Sequence, residues 1–319
     1  MKTLVTGGAG FIGSHLVDYL MKSDNEVVVL DNLSTGRVSN IESWTDNPRF
    51  TFVKGDLLKK GLIDNLIQDC DVVFHLSANL ESRMGKLSPQ VCYDNNIQAT
   101  FNLLEAMRSS INCKKVIFTS SCTVYGDASV LPTPETYNPN PISIYGASKL
   151  ACEVLVRSYV NSYDISARVF RVCNVVGPRL RHGVIYDFIN KLRTNPDALE
   201  ILGDGTQKKS YIYIKDCINA LTFKFEKFAD RYSLYNLAST DNTDVKTVAY
   251  IVTEEMKLKD HKFDYVHKTS DGRGWNGDVK YTQLSIENLI SIGWSPLYNS
   301  EESVRLTTRD LLKEEGGFN

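Results

Sequence analysis

The chain opens with the apolar run KTLVT at residues 2–6, and GGAGFIG at residues 7–13 follows it directly. Gly8, Gly10 and Gly13 have the G-x-G-x-x-G spacing of a turn between a strand and a helix. Such glycines tighten the turn, let the backbone approach a pyrophosphate, and pack the helix closely against the strand. The helix N-terminus adds free N–H groups and the positive end of its dipole. This stretch therefore predicts a dinucleotide-binding turn.

An acidic residue stands where the next strand is expected to end. The run EVVVL at residues 26–30 is apolar throughout, as in a strand buried on both faces, and Asp31 follows it. A carboxylate there accepts hydrogen bonds from the ribose hydroxyls of an adenosine and repels a 2′-phosphate, which favours NAD over NADP. Arg37 is the one nearby feature that favours NADP. A glycine turn without a ligand is the alternative, and the strand, helix and acid around it argue against that.

The first half of the chain alternates short β-branched runs with longer helical patterns, which indicates a parallel sheet covered by helices. We predict strands at Lys2–Thr6, Glu26–Leu30, Phe50–Val53, Val72–Leu76, Lys115–Thr119 and Ala167–Val169. The predicted helices are Phe11–Met21, Ile97–Arg108 and Tyr145–Val160. Because crossovers between parallel strands are right-handed, the expected fold class is α/β, a Rossmann-type doubly wound sheet.

Beyond about residue 172 the alternation stops and turn residues become frequent, as in GDG at 203–205. We therefore predict an NAD-binding domain at residues 1–172 and a smaller, mostly substrate-binding C-terminal domain at residues 173–319. A segment near residues 208–228 is expected to return to the first domain.

Composition excludes several classes of protein. The 319 residues are 42% apolar and 23% charged with a formal net charge of −2, which is ordinary for a globular protein. No long basic run is present, so no nucleic-acid partner is expected. No targeting segment stands out, and no stretch approaches the roughly 20 apolar residues of a membrane span.

Cysteine and histidine usage indicates neither disulfides nor metal. The seven cysteines contain no CxxC pair, and the five histidines show neither HExxH nor HxH spacing. These absences favour a reducing, cytoplasmic location and a protein without a metal.

Tyr145 and Lys149 lie four residues apart on a predicted helix, so they share a face. A nearby ammonium is expected to lower the pKa of a tyrosine and make it a general base near neutral pH. Taken alone, such a pair is more often an exposed surface pair.

Ser120 and Ser121 follow the strand predicted at Lys115–Thr119, at the strand end that faces the ligand in this fold. A loop or helix cap is the alternative for these serines.

Taken together, these features resemble the extended short-chain dehydrogenase/reductase family, and within it the nucleotide-sugar epimerase/dehydratase branch. The resemblance covers nearly the whole chain. The matching segments are TGGAGFIGSH (6–15), DNLSTG (31–36), GDL (55–57), HLSAN (75–79), YDNNIQAT (93–100), SSCTVYG (120–126), YGASK (145–149), RVCNVVGPR (171–179) and GDGTQKKSYIYIKD (203–216).

The resemblance implies NAD as cofactor and assigns residues to each part of it. The pyrophosphate would lie at Gly7, Gly10, Phe11, Ile12 and Gly13. The adenosine ribose would lie at Asp31, Asn32, Ser34, Thr35 and Gly36, and the adenine at Asp56 and Leu57. The nicotinamide side would be lined by Leu76, Ala78 and Asn96, together with Tyr145 and Lys149.

The resemblance also implies a catalytic group and a substrate site. The catalytic residues would be Ser121, Tyr145 and Lys149. A nucleotide sugar, by default UDP-linked, would contact Ser121, Thr123, Tyr145, Asn174, Lys209 and Arg273, with Asn174, Lys209 and Arg273 on the diphosphate. Family members usually have Arg where Lys209 stands, so Lys208 remains an alternative. The segment from Arg273 to Asp278 is longer than the family's common form.

Two further expectations come from the resemblance. The first is a homodimer packed through the helices at 97–108 and 145–160. The second concerns the reaction: dehydratases and decarboxylases of this branch carry an acid just after the catalytic Ser or Thr, where this chain has Cys122 and Thr123. That favours epimerisation at C4 of a UDP-sugar through a 4-keto intermediate. The alternatives are a 4,6-dehydratase or another nucleotide-sugar oxidoreductase or lyase, and a non-catalytic NAD-binding regulator.

Overall fold

The structure, a computed structural model, describes residues 1–59, 61–79, 88–226, 228–267, 269–275 and 277–314. The strands are β1 (Lys2–Thr6), β2 (Glu26–Asp31), β3 (Phe50–Lys54), β4 (Val72–His75), β5 (Lys115–Ser121), β6 (Ser166–Val172), β7 (Val175–Val176), β8 (Ala198–Leu202), β9 (Lys208–Lys209), β10 (Ile212–Tyr213), β11 (Tyr232–Leu237), β12 (Thr243–Asp244), β13 (Lys262–Val266) and β14 (Tyr281–Thr282). The helices are α1 (Phe11–Met21), α2 (Leu62–Ile67), α3 (Pro89–Cys92), α4 (Ala99–Ser109), α5 (Ile144–Ser162), α6 (Gly183–Thr194), α7 (Ile214–Thr222), α8 (Val245–Glu255), α9 (Glu287–Ser291) and α10 (Ser300–Glu314).

Strand β1 lies inside a seven-stranded parallel sheet whose order is β11-β6-β5-β4-β1-β2-β3. The chain winds outward from β1 through β2 to β3, and then from β4 through β5 and β6 to β11 on the other side. The predicted α/β doubly wound fold class is therefore confirmed. In such a sheet the carboxyl ends of β1 and its neighbours β2 and β4 meet where the winding direction changes, and ligands bind there.

The sheet is buried because its central strands are apolar on both faces. Val27, Val28 and Val29 are all under 9% exposed, which explains why the run EVVVL does not alternate. One core cluster joins residues of this sheet to the inward faces of α2, α4 and α5, including Leu103, Met107, Val116 and Val156. Helix α5 thereby presents a fixed face to the sheet, and Tyr145 and Lys149 are on that face.

Several elements extend beyond their predicted ends. Strand β5 runs to Ser121 instead of stopping at Thr119, so Ser120 and Ser121 are the last residues of the strand and not part of a loop, which was the alternative for them. Strand β2 includes Asp31. Before α4, residues Tyr93–Gln98 form a π-helix, which is where Asn96 lies. The helix predicted at residues 97–108 therefore begins in the π-helix, and its α-helical part starts at Ala99.

The described chain divides into two compact units. The first comprises Met1–Val124, Ser143–Arg171 and Leu221–Tyr235, and the second comprises Tyr125–Ile142, Val172–Ala220 and Asn236–Asn319. One boundary between the units falls between Arg171 and Val172, and Tyr125–Ile142 belongs to the second unit. Leu221–Tyr235 returns to the first unit, because it supplies most of β11 beside β6.

The second unit contains small sheets of two and three strands. Strand β9 pairs with β12 and β14, β10 pairs with β7, and β13 pairs with β8. Within the described part of the chain, no helix has the length and apolar character needed to cross a membrane. Across the same residues, no group of three or more His, Cys, Asp and Glu side chains is placed to hold a metal ion.

Candidate active site

The glycine turn has the tight geometry that a pyrophosphate site needs. Gly7 has a φ of +73°, and its N–H donates to the Leu30 carbonyl at 2.8 Å. A Cβ atom on Gly13 would lie 2.1 Å from the Gly7 carbonyl oxygen, so only glycine fits there. Gly10 caps α1 without a side-chain hydrogen bond. The helix therefore begins with N–H groups that no cap side chain satisfies, an arrangement suited to a phosphate.

Asp31 is held at the end of β2 beside this turn. Its carboxylate accepts hydrogen bonds from the N–H of Ala9 at 2.9 Å and of Leu33 at 2.8 Å. Burial raises the pKa of Asp31 above its ordinary value, while these two hydrogen bonds act in the opposite direction. Because a carboxylate has about four acceptor positions, two N–H donors leave capacity for ribose hydroxyls. The residues present thus fit the adenosine ribose of NAD.

Further predicted cofactor residues gather around Asp31. A Cβ on Gly36 would be 2.9 Å from each Asp31 carboxylate oxygen, so the 31–36 loop folds back on the carboxylate. Asn32 donates to Asp56 at 2.8 Å, which joins the predicted ribose and adenine positions. Ser34 and Thr35 are exposed on the same loop, and Leu57 is buried next to Asp56.

The segment after β4 lies against the glycine turn from the other side. A Cβ on Gly7 would be 2.9 Å from the Ser77 nitrogen, which places Leu76 and Ala78 beside the turn. The Asn96 side chain accepts from the Asn79 N–H at 2.8 Å and donates to the Ser148 hydroxyl at 2.8 Å. Asn96 therefore ties the predicted nicotinamide segment to the helix that carries Lys149.

The three predicted catalytic residues meet in the first unit. Ser121, Tyr145 and Lys149 are each under 9% exposed. Ser121 makes a side-chain hydrogen bond with Tyr145 and accepts one from the Thr123 hydroxyl at 2.9 Å. Lys149 donates from Nζ to the Thr119 carbonyl at 2.8 Å. The end of β5 and the first turns of α5 thus bring a serine, a tyrosine and a lysine together.

The expected depression of the Tyr145 pKa is wrong for this arrangement. Burial raises the pKa of Tyr145 above its ordinary value, and the Ser121 hydrogen bond opposes that shift only in part. Lys149 is directed at the Thr119 carbonyl. Burial also lowers the pKa of Lys149 to about 8, while Cys152 and Glu153 act in the opposite direction. Lys149 is therefore a cation at neutral pH that titrates within reach of ordinary assays.

The predicted diphosphate residues lie together in the second unit, and both cations are in ion pairs. Lys209 pairs with the buried carboxylate of Asp278. Arg273 binds both oxygens of Asp127 at 2.9 Å, Asp271 at 2.5 Å and the Asp278 carbonyl at 2.6 Å. Lys208, the alternative to Lys209, is exposed.

Asn174 lies next to this group, since its side chain donates to the Ser210 carbonyl at 3.0 Å. Thr282, which is buried, stands opposite Lys209 in the β9–β14 pair. The second unit therefore holds a lysine and an arginine on Asp278, with the Asn174 amide bound next to the lysine at Ser210.

Sequence reasoning missed two sets of buried polar residues near the catalytic group. His75 binds Thr6 and Thr100 through its two ring nitrogens, at 2.8 and 3.0 Å. Glu153 binds Arg171 and Ser120. A signal for Glu153 was present, because it follows Lys149 by four residues and so continues the face of α5 that carries the catalytic residues.

Comparisons with known proteins agree with this geometry. Residues 3–238 match the NAD dependent epimerase/dehydratase family. A UDP-galactose 4-epimerase of known structure is 42% identical with a TM-score of 0.86, covering 98% of this chain and 99% of its own. The UDP-glucuronic acid 4-epimerase of Bacillus cereus, solved with UDP-glucuronic acid and NAD, is 30% identical with a TM-score of 0.88, covering 98% and 100%.

A relative with a different activity is similar over the same length. UDP-glucuronic acid decarboxylase 5 of Arabidopsis thaliana is 34% identical over 325 residues, covering 98% of this chain and 89% of its own. The chain belongs to the NAD-dependent epimerase/dehydratase family of extended short-chain dehydrogenases/reductases. Its members use NAD, and they include both UDP-sugar epimerases and decarboxylases.

Proposed function

We propose that the protein is a UDP-sugar 4-epimerase. The proposal depends on the two residues that follow Ser121, which are Cys122 and Thr123. The Thr123 hydroxyl donates to the serine at 2.9 Å, in the place where a carboxylic acid would act. Dehydratases and decarboxylases of this branch are expected to have a carboxylic acid after the catalytic Ser or Thr. Neither Cys122 nor Thr123 can serve as such an acid, so the one proton acceptor of this group suited to the sugar is Tyr145.

The protein's own residues would bind the substrate and move one proton. The glycine turn and Asp31 would hold NAD, which when bound would supply the hydride chemistry at C4 of the sugar. Ser121 would hold the C4 oxygen, and Tyr145 would remove its proton and later give it back. Lys149, as a cation on the same face of α5, would have to counter the effect of burial on Tyr145 and favour its charged form. The first unit would hold NAD and the second the nucleotide sugar.

Asn174, Lys209 and Arg273 are proposed to hold the diphosphate of the substrate. Two cations on one diphosphate would anchor the nucleotide firmly through charge-assisted hydrogen bonds. Epimerisation requires the 4-keto sugar to turn over while the nucleotide stays fixed, so a strong grip on the diphosphate suits this reaction. The carboxylates of Asp127, Asp271 and Asp278 would have to exchange these cations for phosphate oxygens.

Product analysis tests the proposal. The purified protein would be mixed separately with UDP-glucose, UDP-N-acetylglucosamine and UDP-glucuronic acid, without added NAD, and followed by NMR. The expected result is the C4 epimer of at least one of the three. A pentose product from UDP-glucuronic acid would establish a decarboxylase, and a 4-keto-6-deoxy sugar a dehydratase. No conversion of any of them, even with added NAD, would favour a non-catalytic NAD-binding protein.

Turnover is expected to fall as the pH rises through about 8. Burial lowers the pKa of Lys149 to about 8, so the ammonium is present below that pH and lost above it. A neutral lysine no longer favours ionised Tyr145. The measurement is kcat from pH 6 to 10, with a one-proton decrease on the alkaline side. Lys149→Arg, which stays charged, serves as the control, and any activity it retains should lack this decrease. A wild-type rate that keeps rising to pH 10 would contradict the assignment.

We also propose a homodimer formed through α4, α5 and the π-helix before α4. Tyr93, Phe101 and Val154 leave 48%, 40% and 58% of their surface exposed, although all three are apolar or aromatic. Exposed apolar side chains grouped on one surface mark protein–protein contacts. A second copy of the chain would cover them with its own equivalent face.

Placing a charge on this face should separate the copies. Val154→Asp would bury an unpaired carboxylate in the dimer, which costs several kcal/mol. Light scattering after size-exclusion chromatography is expected to give a dimer for the wild type and a monomer for Val154→Asp. Tyr250→Asp on α8, also exposed at 51%, is the matched control and should leave the dimer intact. A wild-type monomer would refute the proposal.

A further inference from the structure

A buried ion pair lies directly behind the catalytic group. Glu153 and Arg171 are each 4% exposed, and Arg171 donates from Nε and Nη2 to the two carboxylate oxygens, the shortest bond being 2.8 Å. Ser120, also 4% exposed, donates its hydroxyl to the same carboxylate. We call these three residues the Glu153 cluster. The Glu153 carboxylate accepts hydrogen bonds from both Arg171 and Ser120, so its acceptor positions are largely occupied.

Each member of the Glu153 cluster comes from an element that sets the geometry of the site. Ser120 precedes Ser121 on β5. Glu153 lies one helical turn beyond Lys149 and two turns beyond Tyr145 on α5. Arg171 is on β6, the strand beside β5. The cluster therefore connects the strand that carries Ser121 to the helix that carries Tyr145 and Lys149.

The Glu153 cluster also sets the charge around Lys149. The groups on its own helix are Tyr145, Cys152 and Glu153. Burial lowers the pKa of Lys149 to about 8, and Cys152 and then Glu153 oppose this. From β4, His75 faces the lysine, and burial lowers the pKa of that histidine to about 3, so it is neutral near pH 7. From β5 come the Thr119 carbonyl and the Phe118 ring.

A purely stabilising role explains this arrangement poorly. A buried ion pair contributes little net stability, because the desolvation of both charges offsets their attraction. Its effect on geometry is larger, because a carboxylate bound at fixed distances by two elements fixes their register. Within the described part of the chain, Glu153 is the carboxylate whose charge acts on Lys149.

We propose that Glu153 is a positioning residue for catalysis: it joins the Ser121 strand to the Tyr145 helix and supplies negative charge beside the Lys149 ammonium. This inference rests on the catalytic roles proposed above. Arg171 holds the carboxylate in place from β6, and Ser120 transmits its position to the neighbouring Ser121. Glu153 itself contacts neither substrate nor cofactor, so its removal should affect turnover more than binding.

The test is Glu153→Gln, which keeps the shape and most hydrogen-bonding capacity but removes the charge. Lys149 would be followed by NMR of protein labelled at lysine Cε, with its signal assigned from Lys149→Met. We expect Lys149 in the variant to lose its proton at a pH about one unit lower than in the wild type, which is a tenfold higher proton activity. With a sugar that the wild type turns over, kcat at pH 8 should fall at least tenfold, while KM and bound NAD stay within about twofold.

Two variants separate charge from general disruption. Glu153→Asp keeps the charge on a shorter side chain, so it should restore the Lys149 titration and only part of kcat. Glu105→Gln is the matched control, because Glu105, like Glu153, binds one arginine and one hydroxyl group. These are the Arg108 guanidinium at 2.9 Å and the Tyr159 hydroxyl at 2.6 Å. That control should change neither the titration nor kcat.

Unchanged titration of Lys149 together with unchanged kcat in Glu153→Gln would overturn the inference, as would a change confined to KM. If the single variant does not fold, the double variant Glu153→Gln with Arg171→Gln removes both charges. The pH at which Lys149 loses its proton is then expected to shift in the same direction, but by less. An unshifted Lys149 in that pair would overturn the inference equally. A wild type that converts no sugar refutes the proposed function instead, and the lysine titration still tests the charge on Glu153.

Discussion

Replacing Tyr145 by phenylalanine is expected to lower kcat by at least about 1,000-fold, because the variant loses the hydroxyl that takes and returns the C4 proton. The ring fills the same buried volume, and the remaining bonds of Ser121 to Thr123 are unaffected. NAD should remain bound, since the glycine turn and Asp31 lie on other elements. The measurements are the epimerisation rate by NMR and the NAD released on denaturation.

The control for this variant is Tyr213→Phe in the second unit. Tyr213 is 4% exposed, and its hydroxyl donates to Asp310 at 2.6 Å. Its loss should cost about 1–3 kcal/mol of stability and leave turnover nearly unchanged. If Tyr145→Phe retained more than a tenth of wild-type turnover, another group would have to be the proton acceptor. If it also lost NAD, the effect would be structural.

Substituting alanine for Gly13 is expected to abolish NAD binding and to destabilise the protein by more than about 3 kcal/mol. The new Cβ would lie 2.1 Å from the Gly7 carbonyl oxygen and 2.7 Å from the Gly8 Cα atom. Both are backbone atoms, so no side-chain rotation relieves the clash, and the turn and helix must separate. The measurements are the unfolding midpoint in urea and the NAD content of the purified variant.

Gly61→Asn is the matched control for the glycine variant. Gly61 has a φ of +81°, which asparagine tolerates, and a Cβ there meets nothing within 4 Å. That variant should bind NAD normally and lose about 1 kcal/mol or less. A Gly13→Ala protein with wild-type stability and a full complement of NAD would show that the turn is not the pyrophosphate site.

Much of the first unit could be predicted from the sequence because its signals are local. The glycines of the turn, the apolar run before Asp31 and the spacing of Tyr145 and Lys149 each depend on a few neighbouring residues. The strands β1 to β6 and the helices α1 and α5 were located to within a few residues for this reason. The fold class followed from their order along the chain.

What the sequence did not reveal depends on contacts between distant residues. The bounds of the returning segment, Leu221–Tyr235, have no local signature, because an edge strand is defined by its neighbour. The Tyr145 pKa was predicted from one neighbour, whereas burial by the whole unit dominates it. The carboxylates of Asp127 and Asp271 on Arg273 were also missed, since Asp127 lies far from Arg273 in the sequence.

The histidine between Thr6 and Thr100 has a consequence for the behaviour of the protein in acid. Burial, and after it the charge of Lys149, lowers the pKa of His75 from 6.5 to about 3, so the folded chain keeps the ring neutral while an unfolded chain protonates it between those values. The unfolded state then binds the extra proton, and the free energy of unfolding falls as the pH drops from 6.5 toward 3. Between pH 6.5 and 3, each unit of falling pH lowers the free energy of unfolding by about 1.4 kcal/mol. Above pH 6.5 the contribution of the neutral His75 ring to stability is fully present. We therefore expect the ring that joins β4 to β1 to lower the stability of the protein in acid.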